Sequence, residues 1–476
     1  MYKIFVKNCL FILVLTMLSA CSTTSFTDLF SNYNQQMHDV KQAQQRGDFQ
    51  QATNLLPKRN PSNGSYNLSL LEKARLAYLA NDNKQSQEDF ERVYQLIQRA
   101  QQAAKIELSR GIENVTAVMS NDNATRYDIP LYEQSMLNSY QALNYLAQQD
   151  LSSALVEIRR ANLVQKKALK DNASSIYNSA EKMATQGSLT SQYPSMNEAI
   201  GQVKNGFQNA YTFYLSALLY EAAGQSNDAY IDYKKALEIY PDNNYLQQDV
   251  WRLANTLNMT QDMSQFKNSL EKTVTNIIFN NKESKKNLGQ VVIIVENGIV
   301  ASKQEISLNL PIVTSHNDMR FYSVALPSYQ NHLRVYSPLE LTYQGKRYQS
   351  EEIVRLQSLA AKQLKDQLPI IVARQITRLI AKEKMRKQLE RKGGDVGNIF
   401  ASIYNIATEK ADTRSWSTLP DSIHILQLNL ASGEHQLSLD INGINQQLNV
   451  AVNANSTTLV KFTAIGSYLD YQTLNL

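Results

Sequence analysis

Small and apolar residues in the first half of the chain recur at the three- and four-residue intervals that place them on one face of a helix. The clearest stretch holds Phe213, Ala217, Tyr220, Gly224, Ala229, Tyr233, Ala236 and Pro241. It predicts two antiparallel helices: Ala217 and Ala229 allow close approach, Phe213, Tyr220 and Tyr233 fill the space between neighbours, Gly224 serves the turn and Pro241 stops the second helix. Similar spacings occur at Ala142, Tyr145, Ala154, Ile158 and Ala161, at Ala74, Ala77, Phe90 and Val93, and most faintly at Ala43, Gly47, Ala52 and Leu56. Residues 171–200 interrupt this pattern with a polar stretch, read as a loop or an inserted hairpin.

From Leu288 the period changes. Val291 to Val295 form an unbroken apolar run before Glu296-Asn297-Gly298, the mark of a buried strand entering a turn. Alternation at Ile306, Leu308 and Leu310, then strands over 320–326 and 339–343, predict antiparallel sheet in a sandwich layer. Residues 350–411 return to helix, broken near Pro369 and ended by Gly393-Gly394. That helix carries Arg374, Arg378, Lys382, Lys384, Arg386, Lys387, Arg391 and Lys392, interleaved with Glu383 and Glu390 and read as a solvated face. Three further strands, with Leu426, Leu428 and Leu430, Leu437, Leu439 and Ile441, and Leu448, Val450 and Val452 alternating, form a meander closed by Thr457 to Phe462.

The first residues add a different kind of information. Lys3 and Lys7 precede an apolar run, Leu10 to Leu18, too short to span a bilayer, as in an export signal. It ends in Leu18-Ser19-Ala20-Cys21, which resembles the lipobox of bacterial lipoproteins, with Cys21 as the acylated residue. Ser22, where inner-membrane retention uses Asp, points to the outer membrane, facing the periplasm. Cys9 leaves with the signal, so no intrachain disulfide is expected. The net charge of +5 falls to about +3 without Lys3 and Lys7, too slight an excess to imply nucleic acid.

Candidate chemistry is sparse. His38, His316, His332, His424 and His435 form no metal-binding motif and read as surface or turn residues, so no metal or cofactor is expected. No nucleophile elbow or phosphate loop is present, and Gly393-Gly394-Asp395-Val396-Gly397 lacks the Lys-Ser/Thr of a phosphate cradle. Glu351-Glu352, placed on a helix, diverge by about 100° and cannot flank a bond as paired acids must. The chain is not expected to be an enzyme.

The spacing from Phe213 to Pro241 closely resembles a tetratricopeptide repeat. Together with the lipobox, the strand Val292 to Gly298 and Ala411-Asp412-Thr413-Arg414-Ser415-Trp416-Ser417-Thr418-Leu419-Pro420, the sequence resembles a family of repeat-containing proteobacterial lipoproteins. That resemblance covers nearly the whole chain. It implies an association with peptidoglycan synthesis and envelope assembly, and no catalytic residues.

The sequence therefore predicts an α+β chain. Residues 1–20 are the signal peptide, 21–32 a tether and 33–275 a TPR-like helical solenoid. A β-sandwich-like domain follows over 288–348 and 420–465, with a helical insertion at 349–411. The expected function is an anchored scaffold whose concave helical face receives an unidentified protein partner. Two alternatives stand beside it: a cell-wall binder or envelope enzyme with a site in the cleft between the halves, and a surface-exposed effector or adhesin.

Overall fold

The structure, a computed structural model, describes residues 32–110, 125–184, 193–263, 287–313, 319–381 and 410–476. After the short α1 (Tyr33–Gln36), helices follow as hairpins: α2 (His38–Gln45) with α3 (Phe49–Leu55), and α4 (Tyr66–Leu79) with α5 (Asn83–Arg110). The next hairpin joins α6 (Leu131–Ala147) to α7 (Leu151–Ala184). Past α8 (Asn197–Ile200), α9 (Ala210–Ala222) turns into α10 (Ser226–Ile239), and α11 (Asn244–Thr256) packs on α10.

One turn chemistry repeats through the stack. Each hairpin passes through a residue with positive φ: Gly47 at +78°, Asn81 at +58°, Gln149 at +60° and Gly224 at +74°. The residue after each donates its N–H back to the preceding helix, to Ala43, Ala77, Tyr145 and Tyr220 respectively, the six-to-one bond of a left-handed helix end. In the first three hairpins that residue is an aspartate, and Asp48, Asp82 and Asp150 then cap the next helix through the amides of Gln51, Gln85 and Ser153. Asp48 and Asp82 stand 34 residues apart, the tetratricopeptide period.

The expected packing residues lie where the spacing puts them: Phe213, Ala217, Ala229, Tyr233, Ala236, Ala142, Ala154 and Ala161 are buried, Tyr220 is 8% exposed, and Tyr145 packs partly buried on the same core. Pro241 follows the end of α10 at Ile239. Residues 171–200 differ from the sequence-based expectation: α7 continues through Asn172–Ser175 to Ala184, because local polarity does not break a helix lacking Gly or Pro. Residues 185–192 lie outside the described residues.

The second half holds two main sheets. The larger has the order β11-β10-β1-β7-β6, made of β1 (Leu288–Asn297), β6 (Glu351–Arg355), β7 (Ser422–Ala431), β10 (Thr457–Ile465) and β11 (Tyr468–Asn475). The smaller is β5-β4-β8-β9, from β4 (Glu340–Tyr343), β5 (Lys346–Gln349), β8 (Gly433–Ile441) and β9 (Ile444–Val452). A separate ribbon, β2 (Gln304–Val313) with β3 (Met319–Ser328), packs Val324 and Leu326 against Leu368, Val372 and Leu379 of α12, residues 356–381.

The apolar run in β1 has a direct cause. Gly289, on the odd side of the strand, lies against Val452 of β9, whereas Glu296, on the even side, meets Arg75 of α4. The large sheet is thus covered on both faces, and Val291 to Ile294 are fully buried. In the small sheet only one face is covered, so β8 and β9 alternate, burying Leu437, Leu439, Ile441, Leu448, Val450 and Val452.

Several expectations about the sheets need correction. β7 belongs to a different sheet from β8 and β9, so the three do not form one meander. β10 pairs parallel with β1, and β11 extends the β-domain to Asn475. Glu351 and Glu352 sit on strand β6, where neighbouring side chains point to opposite faces. Helix α12 runs through Pro369 unbroken, and Arg378 is buried at 2% rather than solvated. Gly393-Gly394 and the basic residues from Lys382 to Lys392 lie outside the described residues.

Candidate functional site

The first helix of each hairpin faces the β-domain. On α4 the stripe Leu68, Glu72, Arg75 and Leu79 is buried, and on α6 the matching stripe is Glu133, Leu137, Tyr140 and Asn144. Into the surface these helices form runs residues 411–421, the Trp416-containing segment that precedes β7.

Two carboxylates hold this segment by its backbone. Glu72 accepts the amides of Ser417 (2.7 Å) and Thr418 (3.0 Å), both of their hydroxyls, and the hydroxyl of Tyr33. Glu133 accepts the amide of Trp416 at 3.0 Å and the hydroxyls of Tyr127 and Tyr132. Gln44 of α2 donates to the Thr418 carbonyl, so three successive first helices grip one strip of chain. Trp416 is fully buried between Phe90 and Tyr140, with ring centroids 5.7 and 6.0 Å away, and its indole N–H reaches Thr418. Arg414 bonds the Asp412 carboxylate and the Thr125 carbonyl, fixing the start of the segment.

Burial pushes the Glu133 carboxyl up from 4.5 to about 7, opposed by the amide of Trp416 and by Lys303. The native chain therefore holds this proton more tightly than the unfolded chain. Its stabilising contribution is fully present below pH 4.5 and is lost as pH rises through about 7. Glu133→Gln is expected to flatten the fall in stability across that window in urea titrations at stepped pH. An unchanged slope would show that Glu133 does not carry it.

A second cluster joins the halves through β1. Arg75 and Glu296 form a 2.6 Å ion pair with both side chains fully buried, and Tyr140 donates to the same carboxylate at 3.0 Å. Lys461 of β10 lies 3.7 Å from the Tyr78 ring centroid, and burial lowers its ammonium from 10.5 to about 7. One hydrophobic core of described residues runs from Tyr33 to Leu474 across both halves, which pack directly against each other.

The outer face is different. Val156, Leu163 and Leu169 on α7 are 45%, 66% and 47% exposed, and Ile231 on α10 is 49% exposed. The two helices are tied by Asn162 bonding Asp232, so Leu163 and Ile231 flank one contact. Exposed Arg159, Lys166 and Lys167 share the α7 face, while from 83 to 99 the exposed positions of α5, Lys84, Glu88, Arg92, Gln95 and Arg99, are all polar.

His424 is buried beside Glu352, which corrects the expectation of a surface histidine; burial lowers its pKa to about 4. His316 and Cys21 lie outside the described residues. Among the described residues no group of histidine, cysteine and carboxylate side chains is arranged to hold a metal, and no helix is long and apolar enough to cross a membrane.

The sequence did not reveal the captured segment 411–421. Its signal was present: Glu72 and Arg75 interrupt an apolar stripe at core spacing, and a buried carboxylate requires donors from elsewhere in the chain.

No family model matches the chain, and no curated protein matches it. Two solved structures of MamA are similar to about half of the chain. One is 12% identical with a TM-score of 0.29, covering 54% of this chain and 99% of that one. The other is 13% identical with a TM-score of 0.27, covering 50% and 95%. At these values the likeness carries no argument, and the α+β architecture with its stacked hairpins stands on the chain's own turns, caps and core.

Proposed function

We propose that this chain is a lipid-anchored lipoprotein of the bacterial envelope, acylated on Cys21, that acts as a protein-interaction scaffold through the outer face of α7 and α10. One observation carries the choice of surface. The inner face is filled by residues 411–421, whereas Val156, Leu163, Leu169 and Ile231 stand exposed beside Arg159, Lys166 and Lys167. Val156 and Leu163 stand in line about two turns apart, about 10 Å along the helix, with Leu169 nearly two turns further on and to one side. That length and sign of charge suit an amphipathic helix with an acidic flank. The lipobox and the resemblance described above support placement at the outer membrane and a role in envelope assembly.

Photo-crosslinkers placed at Leu163 and Ile231 in living cells are expected to capture a protein through an acidic amphipathic segment, identified by mass spectrometry of the crosslinked peptide. A crosslinker at Gln95 serves as the control, and Leu163→Glu is expected to reduce capture at Ile231 at least tenfold, about 1.4 kcal/mol. Equal capture at all three positions, or capture indifferent to Leu163→Glu, would overturn this surface. Cys21→Ala, expected to leave unacylated precursor, tests the anchor separately.

A further inference from the structure

The edges of the two main sheets are not treated alike. Edge strand β5 carries Lys346 and Arg347, β6 is short, charged and bulged between Glu352 and Val354, and β11 carries Asp470 and packs Tyr468 edge-on against Phe49. These are the devices by which sheet edges avoid pairing with other chains. β9 has none of them. Its sequence, Ile-Asn-Gln-Gln-Leu-Asn-Val-Ala-Val, contains no charge and no proline, and its register with β8 is unbroken from Ile444 to Val452.

The register shows which backbone groups are unspent among the described residues. Asn442-Gly443 turns with φ of +55° and +82°, so Ile441 and Ile444 close a two-residue hairpin. Hydrogen-bonded pairs then recur at Gln446, Leu448 and Val450, which directs the N–H and C=O groups of Asn445, Gln447 and Asn449 away from β8. Ala451, next along that edge, has its carbonyl taken by the Thr458 hydroxyl, which marks where the open edge stops. Asn445, Gln447 and Asn449 are exposed, and Ile444, on the core side, is 48% exposed beyond the cover of the large sheet.

We infer that β9 is a self-pairing edge, where a second copy of this chain adds its own β9 antiparallel about a twofold axis at Gln447. In that register Gln447 faces Gln447 of the second copy and Asn445 faces its Asn449, joined by about six main-chain hydrogen bonds. Gln446 then lies opposite Leu448, and the exposed Ile444 opposite Val450. A second copy fits better than a charged peptide because the amides are complementary to themselves and the strand offers no charge to select another partner. The two four-stranded sheets would join into one of eight.

The test uses the full chain in mild detergent. Light scattering is expected to give a dimer for the wild type, and monomers for Gln447→Lys and for Gln447→Glu, each of which puts like charges across the axis. The dissociation constant is expected to rise at least tenfold. Mixing the two variants is expected to restore the dimer, because Lys then faces Glu; that recovery would exclude misfolding of either variant. A wild-type monomer at tens of micromolar, or variants that dimerise as well as the wild type, would overturn the inference. Dimers of each variant with no gain on mixing would place the contact elsewhere and equally refute it.

Discussion

Glu72→Ala is expected to lower the stability of the chain by about 4 kcal/mol, because it leaves the buried amides of Ser417 and Thr418 without an acceptor, at roughly 1 to 3 kcal/mol each. The loss of this acceptor for three hydroxyls, of Ser417, Thr418 and Tyr33, adds to this. The hole left by the side chain also loosens Trp416, one residue away and fully buried. Urea unfolding reads the stability, and tryptophan emission reads the local effect, expected to shift to longer wavelength before the global transition. Glu72→Gln is a sharper probe, since it keeps the volume but turns one acceptor into a donor facing the donors of Ser417 and Thr418. Its cost should approach that of alanine. A Gln variant as stable as the wild type would mean that the segment is held by packing alone.

The consequence of this geometry is that the helix stack does not present an empty groove. Stacked hairpins commonly offer their inner face to a peptide. Here the inner face grips backbone amides, as a peptide-binding surface does, but the peptide is the chain's own and continues directly into β7 at Ser422. A partner must then use the outer face, the strand edges or the ends of the stack.

The helical half was legible because its signals are local. Ala217 and Ala229 are small where helices touch, Gly224 adopts positive φ, and Pro241 follows a helix end; each requirement acts within a turn or two of the residue that meets it. Even the faint spacing at Ala43, Gly47 and Ala52 marks a real hairpin, with Gly47 at its turn and both alanines buried. The most faithful local signal is in the turns: the Asp48, Asp82 and Asp150 caps after left-handed residues repeat more regularly than the apolar pattern does.

What stayed hidden depends on contacts distant in sequence. The parallel pairing of β1 with β10 joins Val292 to Leu459, and no local pattern distinguishes a parallel neighbour from an antiparallel one when both faces are buried. Alternation in β7 and β8 correctly indicated strands but could not tell that they enter different sheets. Strand β6 reads as helix in the sequence because Glu351-Glu352-Ile353-Val354-Arg355 is too short to show a period and leads straight into α12. The roles of Glu72 and Glu133 depend on Trp416, Ser417 and Thr418, hundreds of residues later in the chain.

The buried pair between Arg75 and Glu296 should behave as a unit. Glu296→Leu alone leaves the Arg75 guanidinium and the Lys461 ammonium buried without their carboxylate, and is expected to cost about 3 to 5 kcal/mol. Arg75→Met alone should cost less, because Lys461 and the Tyr140 hydroxyl still face Glu296. The double variant is expected to recover about 2 to 3 kcal/mol of the summed losses, since replacing both members of a buried pair removes the penalty of a lone charge. Lys461 adds a pH signature. Its native pKa is depressed, so between about 7 and 10.5 the unfolded chain binds the proton that the native chain releases, and its contribution to stability grows as pH rises through that window. Removing Glu296 takes away the charge that raises the ammonium, so the rise should begin at lower pH and be larger in total, and Lys461→Met should abolish it. Strictly additive losses for Arg75 and Glu296, or a pH slope indifferent to Lys461, would mean that the two halves are joined by apolar packing and not by this charge cluster.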